Sequence, residues 1–289
     1  LRAARVQIPC EGEGEISVET IERIDDWRGR YSRWLRGKEG ASAGGDGIGD
    51  DYPFVENKRA PFRPLRCALS MLNLALISSA GAYIDGTEPF DVSAPGGDLT
   101  FREIPREVES GDLRFAARGY ERAAVEQDAN SEVPVERLEE FASNGIIGQL
   151  NPVWWSFNGF IPDAAQMIEV LVPNLIARVK RYEAQAALLI PASRLCHQSV
   201  ALLARALEQE GVPTIMLAVA RDVVEAVRPP RAVYYNGEFG SVAGRPLWPE
   251  HQRRILDETL RLLEPMDQPT VHKLSVEIET QVQKSRGER

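Results

Sequence analysis

The sequence predicts an α/β protein: a parallel sheet, doubly wound into a three-layer sandwich, with an N-terminal helical arm. Three observations carry this expectation. The apolar runs at residues 74–77 and 186–190 lack the alternation of a half-solvated strand, as strands buried on both faces do. The second run is followed by a helical pattern over 197–210, by Gly211 as its C-cap, and by another apolar strand over 213–219. Together these make a βαβ unit with a right-handed crossover. Finally, 289 residues with 43% hydrophobic and 27% charged content can build a sizeable core in one α/β unit.

The elements follow in chain order. Val18, Ile21, Ile24, Trp27, Tyr31, Trp34 and Leu35 recur at three- and four-residue spacing and predict an amphipathic first helix. Residues 40–51 are glycine-rich and aperiodic, a flexible loop. No strand precedes that loop and no Gly-Lys-Ser/Thr follows, so it lacks the pattern of a phosphate cradle. The core begins near Arg66. Residues 74–81 read as a buried strand running into a small-residue turn, and 99–104 alternate like an edge or half-buried strand.

Residues 135–143 predict a short helix with Pro134 suited to its start, and 145–148 a turn or short strand. A longer helix is expected over 163–183, with Ala165, Ile168, Leu171, Leu175, Val179 and Tyr182 inward and Pro173 kinking or dividing it. In the helix at 197–210, Val200, Leu203 and Leu207 mark the sheet-facing stripe, broadened by Leu202 and Ala206. A strand over 232–235 and a helix over 249–263 complete the core. The expected organisation is therefore an arm and loop at 1–65, a core at 66–264 and a polar tail at 265–289.

Composition excludes several functions. A net charge of −9 argues against nucleic-acid binding. The basic cluster Arg28, Arg30, Arg33, Arg36 and Lys38 lies among acidic residues and reads as a solvated helix face. Three cysteines, Cys10, Cys67 and Cys196, are too few and too scattered for a disulfide framework or a zinc knuckle, and free thiols suit a reducing cytoplasm. No apolar stretch approaches the ~20 residues that span a bilayer. Leu1-Arg-Ala-Ala-Arg5 is not followed by a hydrophobic signal core, so no export signal is expected. His251 and His272 show no metal-ligand spacing, and neither a metal nor another cofactor is expected.

Cys196 is the most informative residue. It lies between an apolar strand and a helical pattern, where unpaired N–H groups and the helix dipole favour a thiolate. It also follows a strand's carboxyl end, where ligands collect in parallel sheets. A buried structural thiol is the alternative.

A series of motifs then resembles a known family. Leu74-Ala-Leu-Ile-Ser-Ser-Ala-Gly81, Phe101-Arg-Glu-Ile-Pro105, Asp128-Ala-Asn130 with Pro134-Val-Glu-Arg-Leu138, Gly145-Ile-Ile-Gly148, Ser156-Phe-Asn-Gly-Phe160, and Cys196-His-Gln-Ser-Val-Ala-Leu-Leu-Ala-Arg205 running into Gly211-Val-Pro-Thr214 occur in the family's order. With Pro229-Pro-Arg-Ala232, they cover about residues 64–263. The pattern resembles the selenoprotein B component of glycine, sarcosine and betaine reductases and the related D-proline reductase subunit. The resemblance implies a chalcogen nucleophile, a selenocysteine with a cysteine three residues away, that cleaves a C–N bond of an activated substrate. Here that window is Cys196-His197-Gln198-Ser199; Cys196 takes either the selenocysteine position or its partner's, and Ser199 the other. Such a site cannot close an internal disulfide, so a redox cycle needs an external thiol reductant. Gly119-Tyr120-Glu121 stands where the family has His-Tyr-Asp, and Trp154-Trp155 where a His precedes the Ser-Phe-x-Gly element.

The candidate catalytic residues are Cys196, Ser199, His197 and Glu121. Ser199 either donates to the sulfur or bonds backbone at the helix start; His197 either stabilises a thiolate or is merely exposed. Glu121 is a general base if desolvated, or a solvated loop carboxylate. Candidate substrate-binding residues are Tyr120, Asp128 and Asn130, and the aromatic-rich loop of Trp154, Trp155 and Phe157, which serves a pocket or the core. The reading is a reductase-B-like thiol enzyme acting through Cys196 on a C–N or C–S bond of a small molecule. The alternative is a non-catalytic, partner-binding subunit that keeps the fold. A proprotein-type reductase subunit and further copies of the chain are the expected partners.

Overall fold

Short apolar runs become the strands of one eight-stranded sheet, and the amphipathic segments become the helices that cover it. The computed structural model describes residues 18–38, 48–49 and 51–276. The chain runs α1 (Ile24–Lys38), β1 (Asn73–Ser78), β2 (Ala82–Ile84), β3 (Phe101–Pro105), β4 (Leu113–Phe115), α2 (Ala123–Gln127), α3 (Val135–Ser143), β5 (Gln149–Leu150) and β6 (Val153–Phe157). It continues through α4 (Ala164–Gln166), α5 (Val172–Arg181), β7 (Ala186–Ile190), α6 (Arg194–Gln209), β8 (Thr214–Ala218), α7 (Arg221–Val227), β9 (Arg231–Tyr234), α8 (Pro249–Arg261) and β10 (Thr270–Lys273).

The strand order is β10-β9-β8-β7-β1-β6-β3, with β5 paired to the start of β1. Every pairing in this sheet is parallel except that of edge strand β3 with β6. From β1 the chain builds β3 and then β6 on one side, and then returns across β1 to β7 on the other. The crevice beyond the carboxyl ends of β1, β6 and β7 is thus a topological switch point, where open α/β sheets bind ligands.

Alternation along the strands separates two cores. Leu74, Leu76, Leu188, Ile190, Ile215, Leu217 and Trp154 face one side, packed with Leu138 and Phe141 of α3 and Ile255, Leu256 and Leu260 of α8. Ala75, Ile77, Leu189, Met216, Trp155 and Phe157 face the other, beneath Trp27 of α1, Leu175 and Val179 of α5, Val200, Leu203 and Leu207 of α6, and Val223 and Val224 of α7. This is the expected three-layer α/β sandwich.

Several boundaries differ from expectation, each for a local reason. The first helix starts at Ile24 rather than near Val18, and Leu35 is 46% exposed, off the buried stripe. The helix expected over 163–183 runs over 164–181 as α4, a single π turn at Met167–Leu171 and α5, the irregularity falling just before Pro173, the residue expected to kink or divide it. The aromatic-rich loop is strand β6, its rings alternating between the two cores. Edge strand β10 lies in the segment expected as a tail, and α7 and the two-stranded β2–β4 sheet carry too few residues to announce themselves by period. Most of the glycine-rich loop and residues 277–289 lie outside the described residues. No helix among the described residues is long and apolar enough to cross a membrane.

The N-terminal segment is fastened to the core by charged side chains of α6. Buried Arg205 donates to the carbonyls of Glu19, Thr20, Arg59 and Arg228 at 2.6–2.8 Å. Glu208 accepts from Thr214 N at 2.8 Å and from Arg63 N, and pairs with Arg231, both side chains being fully buried. Burial pushes the Glu208 carboxyl up to about 7 even beside Arg231. Replacing one member strands the other, so Arg231→Met is expected to lower unfolding free energy by about 3 kcal/mol, read by urea denaturation.

Candidate functional site

Three turns meet at the switch point, and they enclose Cys196. Helix α6 begins at Arg194, three residues before the expected start, because Ser193 is a side-chain N-cap: its Oγ accepts from Cys196 N at 3.2 Å. Cys196 is therefore the third residue of the first turn. The same Ser193 hydroxyl lies 2.9 Å from Cys196 Sγ as hydrogen-bond donor, and Ser79 O, after β1, lies 3.9 Å from the sulfur. Ser79 also accepts, through Oγ, the N–H of Ala192 at 3.0 Å, and its carbonyl accepts Gly159 N at 3.1 Å, which ties the ends of β1, β6 and β7 together. A Cβ on Gly159 would sit 2.6 Å from Ser79 Cβ and 3.0 Å from Cys196 Sγ. Only glycine lets the β6 turn close on the thiol.

The sulfur points away from its own helix's core: the α6 stripe packs with one cluster, whereas Cys196 joins the opposite one. It is 1% exposed. Burial pushes its thiol above the ordinary value, outweighing the hydrogen bonds from Ser193 that favour the thiolate. The expected lowering by the helix start is thus overridden, because removing an anion from water costs more than a first-turn dipole returns.

The neighbours of Cys196 have structural partners. His197 is not exposed in this arrangement. It is fully buried, with Nδ1 2.6 Å from Ser193 O, while Nε2 accepts from Val219 N at 3.0 Å and Ala220 N at 3.2 Å. That pattern fixes a neutral ring with its proton on Nδ1, and burial pulls the imidazole down to about 4. Ser199 Oγ donates to Gly159 O at 2.8 Å, so Ser193 rather than Ser199 meets the sulfur, and Ser199 instead holds the glycine turn in place.

The other expected site residues fall in two places. Tyr120 stands near Cys196: its hydroxyl donates to Ala80 O at 2.6 Å, and burial, then the charges of Glu132 and Cys196, raise it well above its usual range. Glu121 is exposed, and its carbonyl lies against Gly240. Asp128 and Asn130 line a separate cavity of about 470 Å³ between β4 and α2. Burial would raise Asp128, but hydrogen bonds from Gln252, Leu247 N and Asn130 outweigh it and hold the carboxyl low. Trp154, Trp155 and Phe157 are buried in the cores. Ser193, which meets the sulfur, is not among the expected site residues, although a serine three residues before Cys196 is a legible N-cap signal.

This is an α/β protein with a capped thiol at the switch point of its sheet and no cluster of metal-ligating side chains among the described residues. No protein-family model matches the sequence, and no solved structure matches it. Among curated proteins, it is 30% identical over 200 residues to the D-proline reductase subunit gamma of Acetoanaerobium sticklandii, covering 69% of this chain and 81% of that one. It is 24% identical over 244 residues to the glycine reductase complex component B subunit gamma of Symbiobacterium thermophilum, and 23% over 194 residues to that of Carboxydothermus hydrogenoformans. These matches cover 76% and 65% of this chain but only 53% and 44% of the relatives, so the chain spans about half the length of the glycine reductase subunits. The chain belongs to the reductase B family of D-proline and glycine reductase gamma subunits. Gly119, where the family resemblance implies a histidine, has φ +79° and a Cβ position 2.6 Å from the Phe160 ring, so this packing leaves no room for a side chain there.

Two outcomes test this geometry. Gly159→Ala overpacks the sulfur and Ser79 and is expected to cost about 1–3 kcal/mol in chemical denaturation. His197 takes up a proton near 6.5 when unfolded but only near 4 when folded, so its contribution is lost as pH falls through that window. The destabilisation caused by His197→Asn is therefore expected to be largest near pH 7–8. It should shrink by up to about 3 kcal/mol as pH drops from 6.5 to 4 in urea titrations.

Proposed function

We propose that this chain is the thiol-bearing subunit of a reductase complex, with Cys196 the nucleophile that cleaves a C–N bond of a small organic substrate. The observation that carries the reading is the Cys196 sulfur, bridged by the Ser193 hydroxyl at 2.9 Å in the first turn of α6, at the switch point of a reductase-family fold. The relatives' names point to amino acids of the D-proline and glycine kind as the substrate class. A C–S substrate fits the same chemistry.

In the first step, the thiolate attacks the carbon that bears nitrogen. The C–N pair leaves with nitrogen, which takes a proton, and a thioether forms on Cys196. An external dithiol then supplies two electrons: the carbon departs as C–H, Cys196 is left as a mixed disulfide, and the second thiol of the donor restores it. Ser199 cannot play the resolving thiol, which is why the donor comes from outside the chain. The raised, enclosed thiol is the resting form. Docking of a proprotein-type partner subunit, within an assembly holding more than one copy of this chain, opens the site and compensates the thiolate charge.

The test uses the complex purified with its co-assembling subunits, D-proline as substrate and dithiothreitol as donor. Cys196→Ser is expected to cut turnover at least about a thousandfold, with Cys67→Ser near wild type. Burial of the sulfur favours the second reading, a non-catalytic subunit; full turnover by the Cys196→Ser complex would establish that reading and contradict the first.

A further inference from the structure

We propose that Ser193 is the positioning residue for the nucleophile: its hydroxyl is the donor that holds the Cys196 sulfur as a thiolate, and His197 locks Ser193 in the place from which it does so. The inference rests on the reading of Cys196 as the reacting thiol. It moves the charge-holding role out of the Cys196–Ser199 window, to the residue before the helix.

The protons assign the roles. Ser193 Oγ lies 3.2 Å from Cys196 N and 2.9 Å from Cys196 Sγ. The backbone N–H can only donate, so it takes a lone pair of the oxygen and leaves the hydroxyl one proton to give. The sulfur is the acceptor of that proton. The thiol's own proton points instead to Ser79 O, at 3.9 Å. The reverse, with S–H donating to Ser193, would leave a hydroxyl proton unpaired at a residue that is 1% exposed, which is costly. When the thiol ionises, its bond to Ser79 O is lost, whereas the bond from Ser193 becomes charge-assisted and strengthens. Among the described residues, Ser193 is the one side chain that donates to the sulfur.

The surroundings keep that hydroxyl in place. Ahead of it, Ala192 N donates to Ser79 Oγ at 3.0 Å, and Gly240 N donates to Ala192 O at 2.9 Å. Behind it, Ser193 O accepts twice from His197, from the backbone N at 3.1 Å and from Nδ1 at 2.6 Å. The imidazole is itself fixed. The N–H groups of Val219 and Ala220 occupy Nε2 at 3.0 and 3.2 Å, so Nδ1 carries the proton and faces Ser193 O. A Cβ on Gly119 would stand 3.3 Å from Ser193 Oγ, so the chain also closes against the hydroxyl from that side. The other donors of the window are spent elsewhere, His197 on Ser193 O and Ser199 on Gly159 O at 2.8 Å.

Starting a helix does not require this arrangement. An N-cap needs only an acceptor, and glycine replaces serine there at little cost. Residue 193 has φ −131° and ψ 174°, extended backbone that glycine and threonine both adopt. Holding a thiolate needs a donor, which threonine keeps and glycine lacks. The two substitutions therefore separate the helix start from the charge. Neither touches the other titratable and charged groups around the pair: Tyr120 and Glu132 near the sulfur, and Asp222 and Arg194 beyond His197.

The test is the pH profile of Cys196 alkylation by iodoacetamide in the assembled complex, with urea denaturation run in parallel. Peptide mass spectrometry resolves the site, and partly exposed Cys67 is the internal reference. Losing a hydrogen bond to a charged group moves a titration midpoint by about 1–2 pH units. Ser193→Gly is expected to raise the Cys196 midpoint by that amount and to slow alkylation about 10- to 100-fold below it, while the urea midpoint moves little. Ser193→Thr should restore the wild-type midpoint. An unmoved midpoint in Ser193→Gly overturns the proposal. So does an equal rise in both variants, because the hydroxyl then has no part in the shift. Alkylation does not require turnover, so a Cys196→Ser complex that still turns over contradicts the functional reading while leaving the effect of Ser193 on Cys196 measurable.

Discussion

The site depends on one close approach, that of the Gly159 backbone to Ser79 and the Cys196 sulfur. Because no Cβ stands at 159, the turn after β6 packs directly on the turn after β1, and both reach the first turn of α6. The remaining order follows from that contact. Ser79 can then receive Ala192 N and Gly159 N together, Ser199 can hold the Gly159 carbonyl, and Ser193 can cap the helix while touching the sulfur. The switch point of the sheet supplies the crevice; glycine lets the chain fill it with hydrogen-bonding groups around a single thiol.

The electrostatics pull in opposite directions. A first-turn N–H array is worth about 0.3–1 kcal/mol to an anion at an exposed helix end. Enclosing a charge without a counter-ion costs several kcal/mol. In the closed chain the second effect wins, and the thiol stays protonated. Under the proposed function, reactivity is then a property of opening and of charge compensation, not of the helix start alone.

Much of the fold was legible because its strongest signals are local. The run at 186–190 has no alternation and became β7 residue for residue, and the helix at 135–143 matched the strength of its stripe and its preceding proline. Strand β6 was hidden because tryptophan and phenylalanine fill both faces of a central strand and mimic an aromatic pocket wall. Edge strand β10, Thr-Val-His-Lys, is mostly polar and looks like tail until β9 pairs with it. Cys196 stood out by position, but its burial did not, since that depends on Gly159 and on residues 240–243, distant in sequence and contributing mostly backbone. His197 read as exposed for a similar reason: its two backbone donors follow β8, more than twenty residues away.

In the proposed reaction the Cys196 sulfur bonds to substrate carbon, in a chain that by itself keeps that atom enclosed. Quenching the assembled complex with acid after incubation with isotope-labelled D-proline, without dithiol, tests this most directly. Peptide mass spectrometry should then find the labelled carbon skeleton attached as a thioether to the Cys196 peptide, near one adduct per active chain. A single turnover of labelled substrate that leaves the Cys196 peptide unmodified would contradict the account.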